Sequence, residues 1–370
     1  MKKQLFSFIG LIGISFVLLS WGSIGHYKIN TASGLSFNTQ MSQFTSWITT
    51  LADHASDADI RKGWDPSEGP KHYIDIDNYN EFILQGKIPQ TMDSAIASHG
   101  AAFVYDNGIL PWATLTTFDS LKNCFERLDW AKAVLFAADL GHYVADGHMP
   151  FHITRNYNGQ YTGNTGIHSR YESTMINAYI SQFNYDGAEI SEIENVNQYV
   201  FNYLYSSYPF VDSVIDADNY AKALAGNTNS SVYKQALWEK TSGFTIPLFA
   251  DASHALTELI YTAWIQAGSP LISPNFVFAP DSEYAFSLEQ NIPNPFRSTT
   301  KITYHLLRNS DVLLQVFDVA GQSVATLVDG KMDKGEHSYE WSTDSIKTGI
   351  YYLILKTGNH FDHKKMVVLN

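Results

Sequence analysis

The chain has 370 residues, a net charge of −13, 45% hydrophobic and 14% aromatic residues, and only 16% charged residues. That is enough apolar material for two domains with real cores, and the low charge, made up by Tyr, Asn, Ser and Thr, suits an extracellular surface. The acidic balance argues against a broad nucleic-acid-binding face, and a single cysteine, Cys124, excludes both an intrachain disulfide and a thiolate zinc site.

Two lysines at positions 2 and 3, an apolar run from Leu5 to Leu19 and a small Ser20 form the pattern of a secretory signal peptide. The run is shorter than the ~20 apolar residues that a spanning helix needs. Cleavage after Ser20 makes Trp21 the first residue. A free α-amine and the carbonyl of the same residue can chelate a metal, and His26 follows in WGSIGH.

The next segment, DHASDADIRKGWDPSEGPKHYIDID, offers Asp57 and His72, fifteen residues apart across a Gly/Pro-rich loop. Asp53, Asp59, Asp75 and Asp77 compete with Asp57 for the ligand role. Arg61 is expected to pair with a neighbouring carboxylate. Helical periodicity is clearest in CFERLDWAKAVLFAADLGHYVADGH, read as one helix with Leu128, Ala131, Leu135 and Ala138 on the side leading to His142. In this run Cys124 is expected to be a buried small residue.

The densest chemistry lies in HYVADGHMPFH and IHSRYE. His142 and Asp146 stand four residues apart, on one helix face. Pro150 ends that helix and His152 can turn back from the bend. His168 and Glu172 repeat the spacing on a second helix. Imidazoles and carboxylates so arranged suit zinc. Asp139 sits three residues before His142, either orienting a histidine or lying on the helix surface. His148 falls between ligand positions and is expected to be structural or to support a ligand; Asp75 and Asp77 could orient histidines. His54 and His99 show no partner pattern, and YVFNYLYSSYPF reads as packing surface.

Further on, ALWEKTSGFTIPLFADASHALTELIYTAWIQAG reads as one or two helices broken near Gly243 or Pro247. Residues 268–286 are proline-rich and aperiodic, as in a linker. Beyond them, TKITYHL, DVLLQVFD, QSVATLV, HSYEW and GIYYLILK are short strand-like runs, with a turn signal at Val319-Ala320-Gly321-Gln322. They predict a small immunoglobulin-like β-sandwich over 287–370. His337, His360 and His363 are expected at its surface.

Taken together, Trp21 to Glu172 resemble the superfamily of zinc-dependent phospholipases C and single-strand-specific zinc nucleases: an N-terminal Trp, a nearby His, an Asp, a His in an H-[YF]-[IV]-D context, HxxxDxxxxxH, then HxxxE, in that order. The resemblance implies a mostly α-helical catalytic domain over 21–267 and three zinc ions (Zn2+). One would take Asp57, His72, His142 and Asp146. A second would take His152, His168 and Glu172. The third would take the amine and carbonyl of Trp21 with His26 and Asp146. Asp146 would bridge two ions, and Asp57 could also help to orient or deprotonate the attacking water. The implied reaction is hydrolysis of a phosphodiester, in a phospholipid headgroup or in single-stranded nucleic acid. The Trp21–His26 spacing resembles the nucleases, whereas GIHSRYES resembles the phospholipases, so a phospholipase C-like activity is the first expectation and a nuclease the second. A non-catalytic zinc-binding surface protein is the reading from another class.

The last 84 residues carry a second resemblance. SLEQNIPNPF, VFDVAGQSVATL, GIYYLILKTG and a late KK pair resemble the C-terminal sorting domain of type IX secretion. That implies contact with the secretion machinery and a final place outside the cell or on its outer surface, near membrane lipid if that is the substrate.

Overall fold

A computed structural model describes residues 22–63, 65–272, 286–306, 308–319, 321–342, 346–358 and 360–369. The expected signal peptide, Trp21 and most of the expected linker lie outside the described residues.

The first part of the chain is helical: α1 (Gly22–Ser33), α2 (Trp47–Asp53), α3 (Asp57–Arg61), α4 (Asn80–Gln85), α5 (Met92–His99), α6 (Ala101–Asp106), α7 (Leu110–Glu126), α8 (Trp130–Gly147), α9 (Ile167–Ser169), α10 (Ile176–Tyr179), α11 (Val196–Ser207), α12 (Phe210–Ala225) and α13 (Ser231–Gln266). The second part is β: β1 (Phe286–Leu288), β2 (Thr299–Leu306), β3 (Ser310–Asp318), β4 (Ser323–Met332), β5 (Gly335–Ser342), β6 (Gly349–Thr357) and β7 (His360–Val368). Helical domain and small sandwich thus occur in the expected order. No helix among the described residues is long and apolar enough to cross a membrane.

Helix α8 is the axis of the first part. From Leu140 to Gly147 every residue is buried, so it lies in the middle of the domain, wrapped by α1, α2, α7 and α13. A helix in that position carries its polar residues into the core, where they need partners. Phe44, Trp47, Phe125 and Trp130 fill the core beside it, the Trp47 and Phe125 rings stacking at 5.9 Å.

The single helix expected around residues 124–148 is two. Leu128 takes φ +59°, and the Asp129 side chain accepts from the Lys132 amide to start α8 afresh. Leu128 itself is exposed, whereas Ala138 is buried as expected and Leu135 packs partly against the core; Ala133, Val134 and Ala137 complete the core-facing side. Conversely, the break expected near Gly243 or Pro247 does not occur. Pro247 lies inside the continuous α13. The proline costs the helix one amide donor, but Leu248, Phe249, Ala252, Leu256 and Leu259 are buried beyond it, and that burial holds the helix together.

Glycine matters at one close approach. A Cβ on Gly141 would stand 2.3 Å from Asn30 Oδ1. The Asn30 amide donates to the Ala138 and Leu51 carbonyls, at 3.3 and 2.8 Å. This stitch draws α1 onto α8 and sets the height at which His26, one turn earlier, meets the polar centre.

In the tail, β1-β2-β5 form one antiparallel sheet and β4-β3-β6-β7 another. Alternate residues of β2 and β3, such as Ile302, Tyr304, Leu306, Val312, Leu314 and Val316, enter an apolar core between them. The β3–β4 turn falls where the sequence predicts it, with Gly321 at φ +71°. Strands β1 and β7 escape the sequence reading: one is three residues long, and the other, FDHKKMVV after His360, is an edge strand whose charges hide its alternation.

Candidate metal centre

The polar centre sits at the C-terminal half of α8 and gathers residues from distant segments. His142 and Asp146 project from one face of α8, with His142 Nε2 3.4 Å from Asp146 Oδ2. His72, at the end of the 3₁₀ turn Gly69–His72, brings Nδ1 to 3.0 Å from both Asp146 Oδ2 and His142 Nε2. Asp59 Oδ1 lies 3.6 Å from His72 Nδ1 and from His142 Nε2. Five of the six pairs among these donor atoms, all but Asp59 with Asp146, have the spacing of ligands around one ion, since bonds of about 2.0–2.1 Å in a tetrahedron put ligand atoms roughly 3.3 Å apart. His26 stacks flat on His142, centroids 3.9 Å apart, and its Nε2 is 3.5 Å from the other oxygen of Asp146. Asp146 therefore faces two groups at once.

A third group stands alongside. His152, in the 3₁₀ turn Pro150–His152, has Nε2 4.0 Å from Glu172 Oε2, and His168 Nε2 contacts the same oxygen. His168 and Glu172 do not share a plain α-helix. Between α9 and α10 the chain takes a π-helical turn over Arg170–Met175, a distortion that often accompanies functional sites. The Gly22 amide donates to Glu172 Oε1 at 3.2 Å, tying the start of α1 to this group.

The histidines are held from behind. His142 Nδ1 donates to the Ala55 carbonyl (2.7 Å), His152 Nδ1 to the His72 carbonyl (2.6 Å), and His168 Nδ1 to the Tyr157 carbonyl (2.9 Å). A carbonyl can only accept, so in each ring the outer nitrogen carries a proton and Nε2 is turned to the centre. Burial drives His26 well below the usual histidine pKa and His152 to about 3, which keeps both rings neutral. Burial pushes Asp146 up, but His142 and His152 outweigh it and hold this carboxylate well below its ordinary value. Burial likewise opposes a proton on His142, yet Asp146 and Asp59 raise it to about 9: the two carboxylates demand positive charge here. Asp146 Oδ1, His152 Nε2 and Glu172 Oε2 are buried without a hydrogen-bond partner among the described residues. In a folded core such atoms call for a ligand. The donor set, carboxylates with neutral imidazoles and no thiolate, fits zinc. Several His/Asp/Glu groups of this chain could therefore hold metal ions.

Asp57 does not join His72 and His142; Asp59, two residues on, does. Both lie on α3, where a two-residue step turns a side chain about 200° around the axis. Asp57 consequently points the other way, to His54 Nδ1 (2.8 Å) and to His363 Nδ1 (3.2 Å). His363 is thereby buried rather than at the surface.

Other residues settle as follows. Arg61 pairs with Asp139 at 2.9 Å and with Glu68 at 3.3 Å, so Asp139 serves the arginine. His148 donates to the Val144 carbonyl and stacks on Tyr203, a structural role. Asp77 accepts from the Thr154 hydroxyl and the Arg155 amide, fixing the chain just after His152. Burial and the neighbouring Asp77 raise Asp75 to about 7. His99 bonds Glu81 at 2.9 Å, and Cys124 is buried. Glu68 was not anticipated: it is buried, bonds Tyr143 and Lys71, and lies 3.6 Å from His72 Nε2. No motif marks it in the sequence. Beside the centre, a cavity of about 610 Å³ opens past His72, His152 and His168 and is walled by Lys62, Tyr73, Phe151 and Tyr157. Lys62 Nζ also pairs with Asp59 Oδ1 at 2.5 Å.

Residues 292–369 match the family described as secretion system C-terminal sorting domain. The tail sends the chain out of the cell. Its destination by the type IX route is the extracellular space or the cell surface. No curated protein matches the chain. Among solved structures, the alpha toxin of Clostridium absonum is similar at 10% identity, over 94% of this chain and 96% of that one, with a TM-score of 0.42. An alpha-toxin of Clostridium perfringens from an avian strain is similar at 11% identity, over 93% and 97%, with a TM-score of 0.41.

Proposed function

We propose that the helical part is a zinc-dependent phosphoric diester hydrolase of phospholipase C-like type, acting outside the cell. The observation that carries this reading is the convergence of Asp59 and Asp146 on His72 and His142 at 3.0–3.6 Å, beside a second group and a large cleft. In this assignment Asp59, His72, His142 and Asp146 hold one ion, and His152, His168 and Glu172 hold another. His26 and Asp146 hold a third with the amine and carbonyl of Trp21, freed by removal of residues 1–20. The Gly22–Glu172 hydrogen bond supports the last placement, because it fixes the residue next to Trp21 in the centre.

Bound zinc supplies Lewis-acid chemistry, activating water near neutral pH and neutralising charge on phosphoryl oxygens. The chain's residues do the rest. The backbone carbonyls behind His142, His152 and His168 keep the rings aimed inward. Asp59, on the face of α3 turned toward His72 and His142, would help to orient the attacking water. Lys62 lines the cleft, where its ammonium can meet an anionic ester. Tyr73, Phe151 and Tyr157 give the cleft an apolar wall for the group attached to the phosphate.

The phospholipase C reading draws on the GIHSRYES run and the acidic charge balance. A single-strand nuclease is the second reading, favoured by the short Trp21–His26 spacing and by aromatic rings on which a base could stack. Hydrolysis of bis-p-nitrophenyl phosphate, abolished by a chelator and restored by zinc, tests the enzyme. A zinc-loaded protein without hydrolysis would leave a zinc-binding surface protein instead. Release of phosphocholine from lecithin, against nucleotides from single-stranded DNA, then separates the two enzymes. One extra residue retained before Trp21 should displace the amine and remove about one zinc per chain by elemental analysis; an unchanged count would refute the Trp21 assignment.

A further inference from the structure

The reverse face of α3 carries a second convergence of ligand-type atoms, across the boundary between the helical part and the tail. Asp57 comes from the start of α3, His54 from the end of α2, and His363 from β7 of the sandwich. All three offer a donor atom within 4.8 Å of the others. Asp57 Oδ1 and His363 Nδ1 are 3.2 Å apart and both are buried, yet among the described residues neither makes a hydrogen bond. A buried carboxylate oxygen and a buried imidazole nitrogen left facing each other in this way carry a desolvation cost that a hydrogen bond would normally cancel. Their spacing is instead that of two ligands on one small cation, roughly 3.3 Å for zinc. The His54 ring completes the set edge-on to His363, centroids 5.5 Å apart. Lys364, beside His363 on β7, is turned onto Asp362 at 3.3 Å.

We propose that His54, Asp57 and His363 form a separate divalent-metal site, of zinc type, that clips the sorting tail to the helical part. Three protein ligands leave one coordination position. His54 and His363 line a cavity of about 510 Å³ that both parts wall, with Tyr27 and Thr50 on one side and Tyr352 and Lys364 on the other, so water could fill that position. His363 lies 306 residues beyond Asp57 in sequence, and the clip therefore fastens the tail to the early helices. It stands whether or not the inner centre hydrolyses phosphodiesters.

The test is elemental analysis of the full exported chain, tail retained, after equilibration with zinc and gel filtration. His363→Ala and His54→Ala should each lower the count by one per chain, and the double variant also by one, not two. His363→Cys, which restores a zinc ligand, should return the count to that of the parent chain. Hydrolysis of a soluble phosphodiester should be unchanged in His363→Ala. Limited proteolysis should release the tail faster in the alanine variants, and in the parent after chelation. Should one variant fail to fold by circular dichroism, the other decides. An unchanged count in a folded variant, a loss of two in the double variant, or a loss of hydrolysis along with the metal would each overturn the clip.

Discussion

The two faces of α3 present the same kinds of residue to different surroundings. On the inner face, Asp59 enters a group whose other members come from the helical part alone, with ring after ring tied by Nδ1 to a backbone carbonyl. On the outer face, Asp57 meets His54 and a histidine from the tail, and among the described residues no carbonyl ties those rings. The inner group is preorganised by the core, whereas the outer one exists only while the sandwich is docked. Rigid support from behind is what a catalytic centre needs; a clip needs only that two bodies meet.

The sharpest way to break the comparison is Asp146→Asn. This carboxylate serves two inner groups, so on the proposed function its loss should remove more than one zinc and lower bis-p-nitrophenyl phosphate hydrolysis by about 10³-fold or more, well beyond the 10–100-fold expected for an outer-shell partner. Retained activity near the parent rate would remove Asp146 from the chemistry. The next effect separates the two faces directly. Asp59→Asn should weaken zinc binding at the inner centre and cut turnover on the order of 10²-fold, whereas Asp57→Asn should cost the clip and little turnover. If turnover follows Asp57 and ignores Asp59, the assignment of the faces is reversed.

That pair of residues also marks where sequence reading stops. The imidazole and carboxylate spacings of His142, Asp146 and His152 are legible because chelation fixes residue type, and helix geometry fixes the interval. Asp57 and Asp59 both precede His72 by a plausible interval; the choice depends on the rotation of a five-residue helix, which no local pattern sets. The outer group was out of reach, since its third member lies on another fold. Glu68 has no motif because its partners Arg61, Tyr143 and Lys71 meet only in three dimensions. The restart at Asp129 was hidden because Leu128, not a glycine, takes the left-handed turn, and the continuity of α13 was hidden because packing overrides a proline. The tail was legible strand by strand where alternation was clean, and failed at the charged edge.

A smaller effect probes how the inner group is positioned. Gly141→Ala should push α1 off α8 through Asn30, an overpacking cost of about 1–3 kcal/mol. His26 would retreat from Asp146 with it, so the variant should lose zinc at the His26 group before it loses the others. Chemical denaturation gives the stability term and graded chelation the order of loss. Unchanged stability would mean that Asn30 yields freely and does not set the register of the two helices.

The smallest effect concerns the support behind His168 and Glu172. Arg170, between them, reaches out to Asp218 on α12 at 3.0 Å, and Asp218 also takes Lys222 at 2.9 Å, the Asn164 amide and the Tyr233 hydroxyl. Burial pushes the Asp218 pKa up, but the bonds from Tyr233, Lys222 and Asn164 outweigh it and hold the group below the ordinary aspartate value. A depressed folded-state pKa stabilises the fold above the ordinary value near 4, and the contribution disappears as pH falls through the depressed one. Asp218→Asn should therefore destabilise by roughly 1.5 kcal/mol at pH 7 and by progressively less toward pH 3, measured by urea denaturation against the parent chain. A gap that widens on acidification would mean that the native carboxyl is the protonated partner, and that Arg170 is anchored by something other than charge.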